Sequence, residues 1–239
     1  MAISTQTFQQ GNTSACATAL KTALEGTNLF DSVTISDLKI TCTKNSVAVL
    51  TVDLGVTSSN VFVTWNNTDN NATDTTFDWD QGNASGIKPS YYATITTIGN
   101  AVYATFSYTH STAASGMTRV FCLYVGATKD GNIGIYVCKT ATADGTNLNC
   151  YTMSTGAYSP ILTACVSAPV STSMTAICAY PLSTIKKSGD IDVFSDAYAL
   201  RYSPPIHTLS CNQVGVTPVK IAVDNVVYLT DGVIMIKNV

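Results

Sequence analysis

Residues able to carry out acid–base or nucleophilic chemistry are few and scattered in this chain of 239 residues. The two histidines, His110 and His207, lie far apart in the sequence, and neither belongs to a recognisable motif. A catalytic triad needs a nucleophile, a histidine and a carboxylate brought together, and no Gly-x-Ser-x-Gly elbow is present. No phosphate-binding glycine loop occurs either. We therefore predict no catalytic and no cofactor-binding residue, with a hydrolase using His110 or His207 as the weakest alternative.

Carboxylates cluster in two places. A polar stretch between residues 66 and 89 combines aspartates with asparagines, and its oxygens could suit Ca²⁺, which takes several oxygen ligands. The spacing is not that of an EF-hand, so we predict a solvated loop without a metal ion and leave calcium binding open. The residues concerned are Asn66, Asn67, Asp69, Asn70, Asn71, Asp74, Asp78 and Asp80. Further on, the even spacing of Asp190, Asp192 and Asp196 predicts that they share one face of a strand. We expect that face to be solvent-facing, with a glycosidase-like carboxylate pair as the alternative.

Eight cysteines occur singly, without the CxxC or CxxH spacing that a zinc site requires. The opening residues show no basic segment followed by an apolar one, so we expect synthesis in a reducing cytoplasm. Buried, reduced thiols are the prediction, and at least one disulfide is the alternative. The cysteines are Cys16, Cys42, Cys122, Cys138, Cys150, Cys165, Cys178 and Cys211.

The composition narrows the choice of partners. Charged residues make up 11% of the chain and the formal net charge is -3. Lys186 and Lys187 form the only adjacent basic pair, which argues against binding to nucleic acid. No apolar run is long enough for a membrane span, so we expect no membrane partner. Sparse charge also weakens the repulsion that keeps monomers apart, and it favours a protein that functions inside an assembly.

The pattern of elements predicts a mainly β fold, an antiparallel β-sandwich or barrel with one N-terminal α-helix packed on a small sheet. Apolar residues at spacings of four predict a helix over residues 14–25, ended by a left-handed Gly26. With strands at 33–35, 38–43 and 47–53, this helix forms a predicted unit over residues 1–57. A strand at 61–65 follows, and the polar stretch after it carries Phe77 and Trp79 as anchors to its own core or to a neighbouring chain.

Residues 58–239 form the predicted sandwich, because short alternating runs recur at regular spacing with turns between them. The predicted strands are 91–98, 101–109, 118–125, 133–138, 148–153, 161–166, 174–179, 190–202, 206–211 and 214–219. Residues 220–238 then read as three short strands. Asp224-Asn225 and Asp231-Gly232 tolerate the left-handed backbone of tight turns. So apolar an ending should be paired into a larger sheet or against another subunit.

Two segments together resemble a known group of proteins. The opening carries the helix, then Leu29-Phe30-Asp31-Ser32-Val33, a Lys-Ile-Thr-Cys strand and a Val-Leu-Thr-Val strand. The ending has Tyr228-Leu229-Thr230-Asp231-Gly232 before an apolar strand. This pairing resembles poorly characterised β-rich virion proteins of tailed phages and prophages of Gram-positive gut bacteria. Their ending often reads Asp-Gly-x-x-Tyr-Leu-x-Asn-Gly; here Asn225 replaces the first glycine and Asp231 the asparagine.

The resemblance covers about a third of the chain, consists of turns and strands, and carries over no catalytic residue. It implies a non-enzymatic virion component, assembled in the bacterial cytoplasm as symmetric oligomers with copies of itself and other virion proteins. Capsid decoration, a tail or appendage, and host attachment through a surface glycan all stay open. The second hypothesis is a carbohydrate-binding module. In it Trp65, Trp79 and strand tyrosines stack on sugars, the tyrosines being Tyr91, Tyr92, Tyr103, Tyr108, Tyr124, Tyr136, Tyr151 and Tyr158.

Overall fold

A computed structural model describes most of the chain. The described residues are 3–9, 12–57, 60–65, 75–79, 90–109, 118–140, 147–155, 161–167, 177–186, 188–202, 219–230 and 234–238. Several predictions therefore concern residues outside these ranges: His110, His207, most of the 66–89 stretch, the predicted strand 206–211, and the predicted strand 214–219 apart from Val219.

The described residues form three antiparallel sheets and one helix, which confirms the mainly β prediction. The middle sheet contains, in spatial order, β1 (Ser4–Gln9), β7 (Ser90–Ile98), β8 (Ala101–Thr109), β9 (Thr118–Ala127), β10 (Ile133–Thr140), β11 (Asn147–Ser154) and β12 (Ile161–Ser167). The C-terminal sheet contains β13 (Ile177–Ile185), β14 (Ile191–Tyr202), β17 (Ile234–Lys237), β16 (Val226–Thr230) and β15 (Val219–Val223). The N-terminal sheet contains β2 (Ser32–Ser36), β3 (Lys39–Lys44), β4 (Val47–Thr57), β5 (Asn60–Trp65) and β6 (Thr75–Trp79).

The helix α1 (Thr13–Gly26) matches the predicted segment and buries one stripe of small and apolar side chains. The buried residues are Cys16, Ala17, Leu20, Ala23 and Leu24. The predicted end is wrong in detail, since Gly26 stays helical and Asn28 takes the left-handed conformation at φ 58°. Asparagine tolerates this region because its short side chain bonds locally to the backbone. At 14 residues, α1 is too short to cross a bilayer, and no other helix occurs in the described ranges.

The middle sheet is covered on both faces, and this arrangement makes the fold a layered sandwich. On one face, residues such as Ile95, Phe106 and Leu123 pack against α1 and the N-terminal sheet. On the other face, Tyr103, Tyr124 and Tyr136 pack against the C-terminal sheet. Burial of side chains on both faces explains why β8, β9 and β10 read as nearly continuous apolar runs.

Two glycines make room for the side chains packed between the middle sheet and the C-terminal sheet. Gly126 and Gly134 lie opposite each other on β9 and β10. A Cβ at Gly134 would lie 2.6 Å from Cε1 of Phe194, and one at Gly126 would overlap the Tyr124 hydroxyl oxygen. The rings of Tyr124 and Phe194 fill the space that the absent side chains leave, with centroids 6.0 Å apart. Glycine is therefore a packing requirement at Gly134.

The N-terminal sheet extends further than the sequence indicated. The hairpin between β3 and β4 turns at Asn45 and Ser46, both with positive φ, close to the predicted position. β5 then pairs with β4, and β6 pairs with β5, so the sheet continues past residue 57. β1 meanwhile belongs to the middle sheet. The division of the chain into units 1–57 and 58–239 stays a prediction.

The strands at the C-terminal end of the chain pair into a five-stranded sheet with β13 and β14, as predicted for this apolar segment. Asp224 and Asn225 have φ values of 50° and 64°, the paired left-handed residues of a type I′ hairpin turn. β17 lies between β14 and β16 and pairs antiparallel with both. The final strand is therefore an internal member of its sheet, which keeps its apolar residues Ile234 and Ile236 buried.

Candidate assembly surfaces and a buried polar junction

The three evenly spaced aspartates do not share a face, so that prediction is wrong. Asp192 is fully buried between the middle and C-terminal sheets, while Asp190 is exposed before β14 begins. Asp196 is half-buried further along the strand. The pairing of β13 with β14 shifts register within this segment, and the shift breaks the simple alternation that the prediction assumed.

Asp192 belongs to a polar junction that we define as Asn132, Ser154 and Asp192. Asn132 Nδ2 donates to Asp192 Oδ2 at 2.9 Å, and Ser154 Oγ donates to the same oxygen at 2.8 Å. Among the described residues, Asp192 Oδ1 has no hydrogen-bond partner. Burying a carboxylate lowers the stability of the fold unless the carboxylate is hydrogen-bonded, so each of these two donors contributes to stability.

Backbone contacts and an ion pair surround the junction. The turn at residues 128–132 is bound to β14, where the Lys129 N–H donates to the Val193 carbonyl at 2.7 Å. Lys186 forms an ion pair with Asp130, and this hydrogen-bonded carboxylate raises the pKa of Lys186. Thr152 Oγ1 donates to the Ser183 carbonyl at 2.8 Å. The junction therefore ties the middle sheet to the C-terminal sheet.

The junction offers little to catalysis. In the described ranges, no group of three or more His, Cys, Asp or Glu residues could hold a metal ion. Ser154 donates to the Asp192 carboxylate, but both side chains are 0% exposed, so a substrate in solution would not reach them, and the junction contains no histidine. No local motif pointed to this cluster, because its members come from three separate strands and turns.

The tyrosines of the middle sheet are core residues. Tyr103, Tyr124 and Tyr136 lie directly opposite one another on β8, β9 and β10 and are buried. Burial, with a smaller contribution from the Asp196 charge, raises the pKa of Tyr124. A buried ring cannot stack on a sugar in solution, so these three tyrosines do not support a carbohydrate-binding surface.

The cysteines that the structure describes are buried thiols: Cys16, Cys42, Cys122 and Cys138. Burial raises the pKa of Cys42 to about 12, with a smaller contribution from the negative charge of Glu25. The prediction of reduced thiols therefore holds for these four. The side chains of Cys150, Cys165, Cys178 and Cys211 lie outside the described part of the chain.

The outer face of the C-terminal sheet is the side turned away from the middle sheet. Ile185 and Ile191 lie opposite each other there and are 49% and 64% exposed. Their neighbours Thr184 and Asp192 point inward and are buried, as strand alternation requires. We call the pair Ile185 and Ile191 the isoleucine patch.

Aromatic residues extend this outer face. The rings of Tyr198 and Tyr228 meet edge to face, with centroids 6.4 Å apart, and both side chains are half-buried. Asp196 lies close to Lys237: burial raises the pKa of Asp196, and the lysine charge partly opposes that rise. Exposed apolar and aromatic side chains with a few charges beside them are typical of protein interfaces.

The sheet edges differ in how they are protected against pairing with another chain. On β13, Pro181 and a register shift interrupt the edge, and on β15 the charge of Lys220 lies on it. Both features discourage pairing between edges. The edge strand β1 has the sequence Ser-Thr-Gln-Thr-Phe-Gln, with no charge and no proline.

A groove lies between α1 and the helix side of the middle sheet, and its floor includes β1 and, in part, Ile95 and Thr97 of β7. Two adjoining hollows of about 290 Å³ and about 500 Å³ make up this groove. Both are lined by Gln6 of β1 and by Ala19 and Thr22 of α1. In the part of the chain that the structure describes, no charged side chain lines either hollow.

Comparison with known proteins adds no assignment, since the chain matches no protein-family model, no curated protein and no solved structure.

Proposed function

We propose that this chain is a non-enzymatic structural protein of a tailed phage virion, assembling as symmetric oligomers on the particle surface. The observation that carries the proposal is the isoleucine patch on the outer face of the C-terminal sheet. Large aliphatic side chains that adjoin one another on the surface are a feature of sites that another protein covers. The resemblance of both chain ends to phage virion proteins supports this role in a capsid decoration, a tail or an appendage.

The energetics favour association through this patch. Burying an isoleucine completely is worth roughly 1.5–3 kcal/mol, so covering the exposed parts of these two, 49% and 64% of each, contributes about 2–3 kcal/mol. The sparse charge of the chain, 11% of residues, adds little repulsion between copies. Two residues alone do not make a stable interface, but in a particle with many copies weak contacts act together.

Mass spectrometry of particles purified on a density gradient tests the virion role. We expect this chain in multiple copies per particle, at a constant ratio to the major capsid protein across the gradient peak. Its absence from particles made by a host that expresses it would refute the proposal.

A matched pair of variants tests the patch itself. The double variant Ile185→Ser with Ile191→Ser should lower incorporation into particles, because it removes the apolar area that a neighbour would cover. Ile35→Ser is the control, since Ile35 is 37% exposed on the N-terminal sheet, far along the chain from the patch. Equal incorporation of both folded variants would show that the patch is not an assembly surface.

A further inference from the structure

The groove between α1 and β1 has two features that point to an extended chain as its occupant. The outer edge of β1 pairs with no strand in the described part of the chain, so its free N–H and C=O groups can bind another strand. The wall formed by α1 is built of small side chains, including Ala15, Thr18 and Ala19.

The charges of the groove narrow the choice of occupant. Lys21 and Glu25 are the charged residues of α1, and they pair with each other at 2.6 Å without lining either hollow. A charged peptide would therefore lose hydration in the groove without gaining a partner. The occupant should be an uncharged strand rich in small and polar side chains, and β1 of a second copy has this composition.

We propose that two copies of this chain pair through their β1 edges, antiparallel and about a two-fold axis. This inference rests on the proposed function in naming a copy of the chain as the partner. The two middle sheets then form one continuous sheet, and both α1 helices lie on the same side of it. A two-fold contact of this kind is self-complementary, as the commonest homodimer interfaces are.

The alternation of β1 restricts the register of this pairing. Ser4, Gln6 and Phe8 line the helix side of the sheet, whereas Thr5 points to the other side and contacts Thr96 at 3.2 Å. Residues that lie opposite each other in an antiparallel pair point to the same face of the sheet. The two-fold axis must therefore pass beside a single residue, which then lies opposite its own copy, because an axis midway between two neighbours would place residues of different faces opposite each other. With the axis at Gln6, Ser4 lies opposite Phe8, and Gln6 lies opposite its own copy.

The self-opposed position gives a charge test. Gln6→Lys and Gln6→Glu each place two like charges next to each other across the axis, and each should weaken self-association about two- to fivefold. An equimolar mixture of the two variants places opposite charges there and should restore dimers. The control is Thr34→Lys, an exposed position on β2, the edge strand of the N-terminal sheet, which should leave the dimer unchanged.

The readout is molar mass by light scattering over protein concentrations up to about 100 µM, with circular dichroism to establish that each variant is folded. We expect the wild type and Thr34→Lys to dimerise, Gln6→Lys and Gln6→Glu to shift toward monomers, and their mixture to dimerise. A monomeric wild type would overturn the inference, as would folded Gln6 variants that keep the wild-type mass or a mixture that stays monomeric. If the chain is nevertheless present in purified particles, only the inference fails; if it dimerises but is absent from particles, the proposed function fails.

Discussion

Replacing Ser154 with alanine removes one of the two donors to the buried carboxylate of Asp192. The hydroxyl donates at 2.8 Å to an aspartate that is 0% exposed, and Asn132 remains as the second donor to the same oxygen. A hydrogen bond to a charged group contributes about 1.5–3 kcal/mol, and the desolvated carboxylate cannot replace the lost donor without rearrangement. We expect Ser154→Ala to lower the free energy of unfolding by about 2–3 kcal/mol.

A matched control exists in the same protein. Ser188 Oγ donates to Asp190 Oδ2, also at 2.8 Å, but both residues are exposed to solvent. Water can replace this donor, so Ser188→Ala should change the free energy of unfolding by less than about 0.5 kcal/mol. The two variants share residue type, partner type and distance, and differ in burial.

Urea denaturation followed by circular dichroism measures both changes. With a slope of about 2–3 kcal/mol/M, the Ser154→Ala midpoint should fall by about 1 M relative to Ser188→Ala. Combining Ser154→Ala with Asp192→Asn tests the role of the charge, because the coupling energy between the two positions should be about 1 kcal/mol or more. Equal midpoints for Ser154→Ala and Ser188→Ala would refute the assignment of Asp192 as a buried, donor-dependent carboxylate.

Three further predictions concern packing, thiol reactivity and pH. Gly134→Ala places a Cβ against the buried ring of Phe194 and should lower the free energy of unfolding, measured by chemical denaturation, by about 1–3 kcal/mol. Gly26→Ala, at a helical position with open space, should leave that free energy unchanged or raise it, and equal effects of the two variants would contradict the packing argument. Cys42, with its pKa raised to about 12 by burial, should resist a maleimide at pH 7.5 in the folded protein and react after unfolding, which peptide mapping reads out. The hydrogen bond from the Asn45 N–H, and secondarily Lys44, lower the pKa of Asp31 in the folded protein, so the ionised Asp31 carboxylate stabilises the fold above its unfolded-state pKa and loses this effect as the pH falls through its folded-state pKa. Asp31→Asn should therefore lower the melting temperature at pH 6, and the difference from the wild type should vanish near pH 2.

Local sequence signals predicted the elements that depend on local interactions. The helix follows from apolar residues at spacings of four, and its buried stripe includes Cys16, Leu20 and Leu24 as expected. The hairpin turn at Asp224 and Asn225 follows from two residue types that tolerate positive φ. In both cases the deciding interactions lie within a few residues, where a sequence pattern can register them.

Elements that depend on distant partners were predicted poorly. β6 lies in a segment of polar composition that favoured a loop, and it is a strand because it pairs with β5. No strand was predicted over β1, which is an edge of the middle sheet because it pairs with β7. Strand propensity is weak beside the pairing and burial that tertiary structure supplies.

The sequence by itself determined the fold class, the positions of most strands and the sparse charge of the surface. The tertiary structure alone decided which face each strand buries, that Asp192 points into the core while Asp196 does not, and that the isoleucine patch stays exposed. The physical reason is that side-chain alternation assigns residues to two faces without saying which face another layer covers, and a single register shift exchanges them.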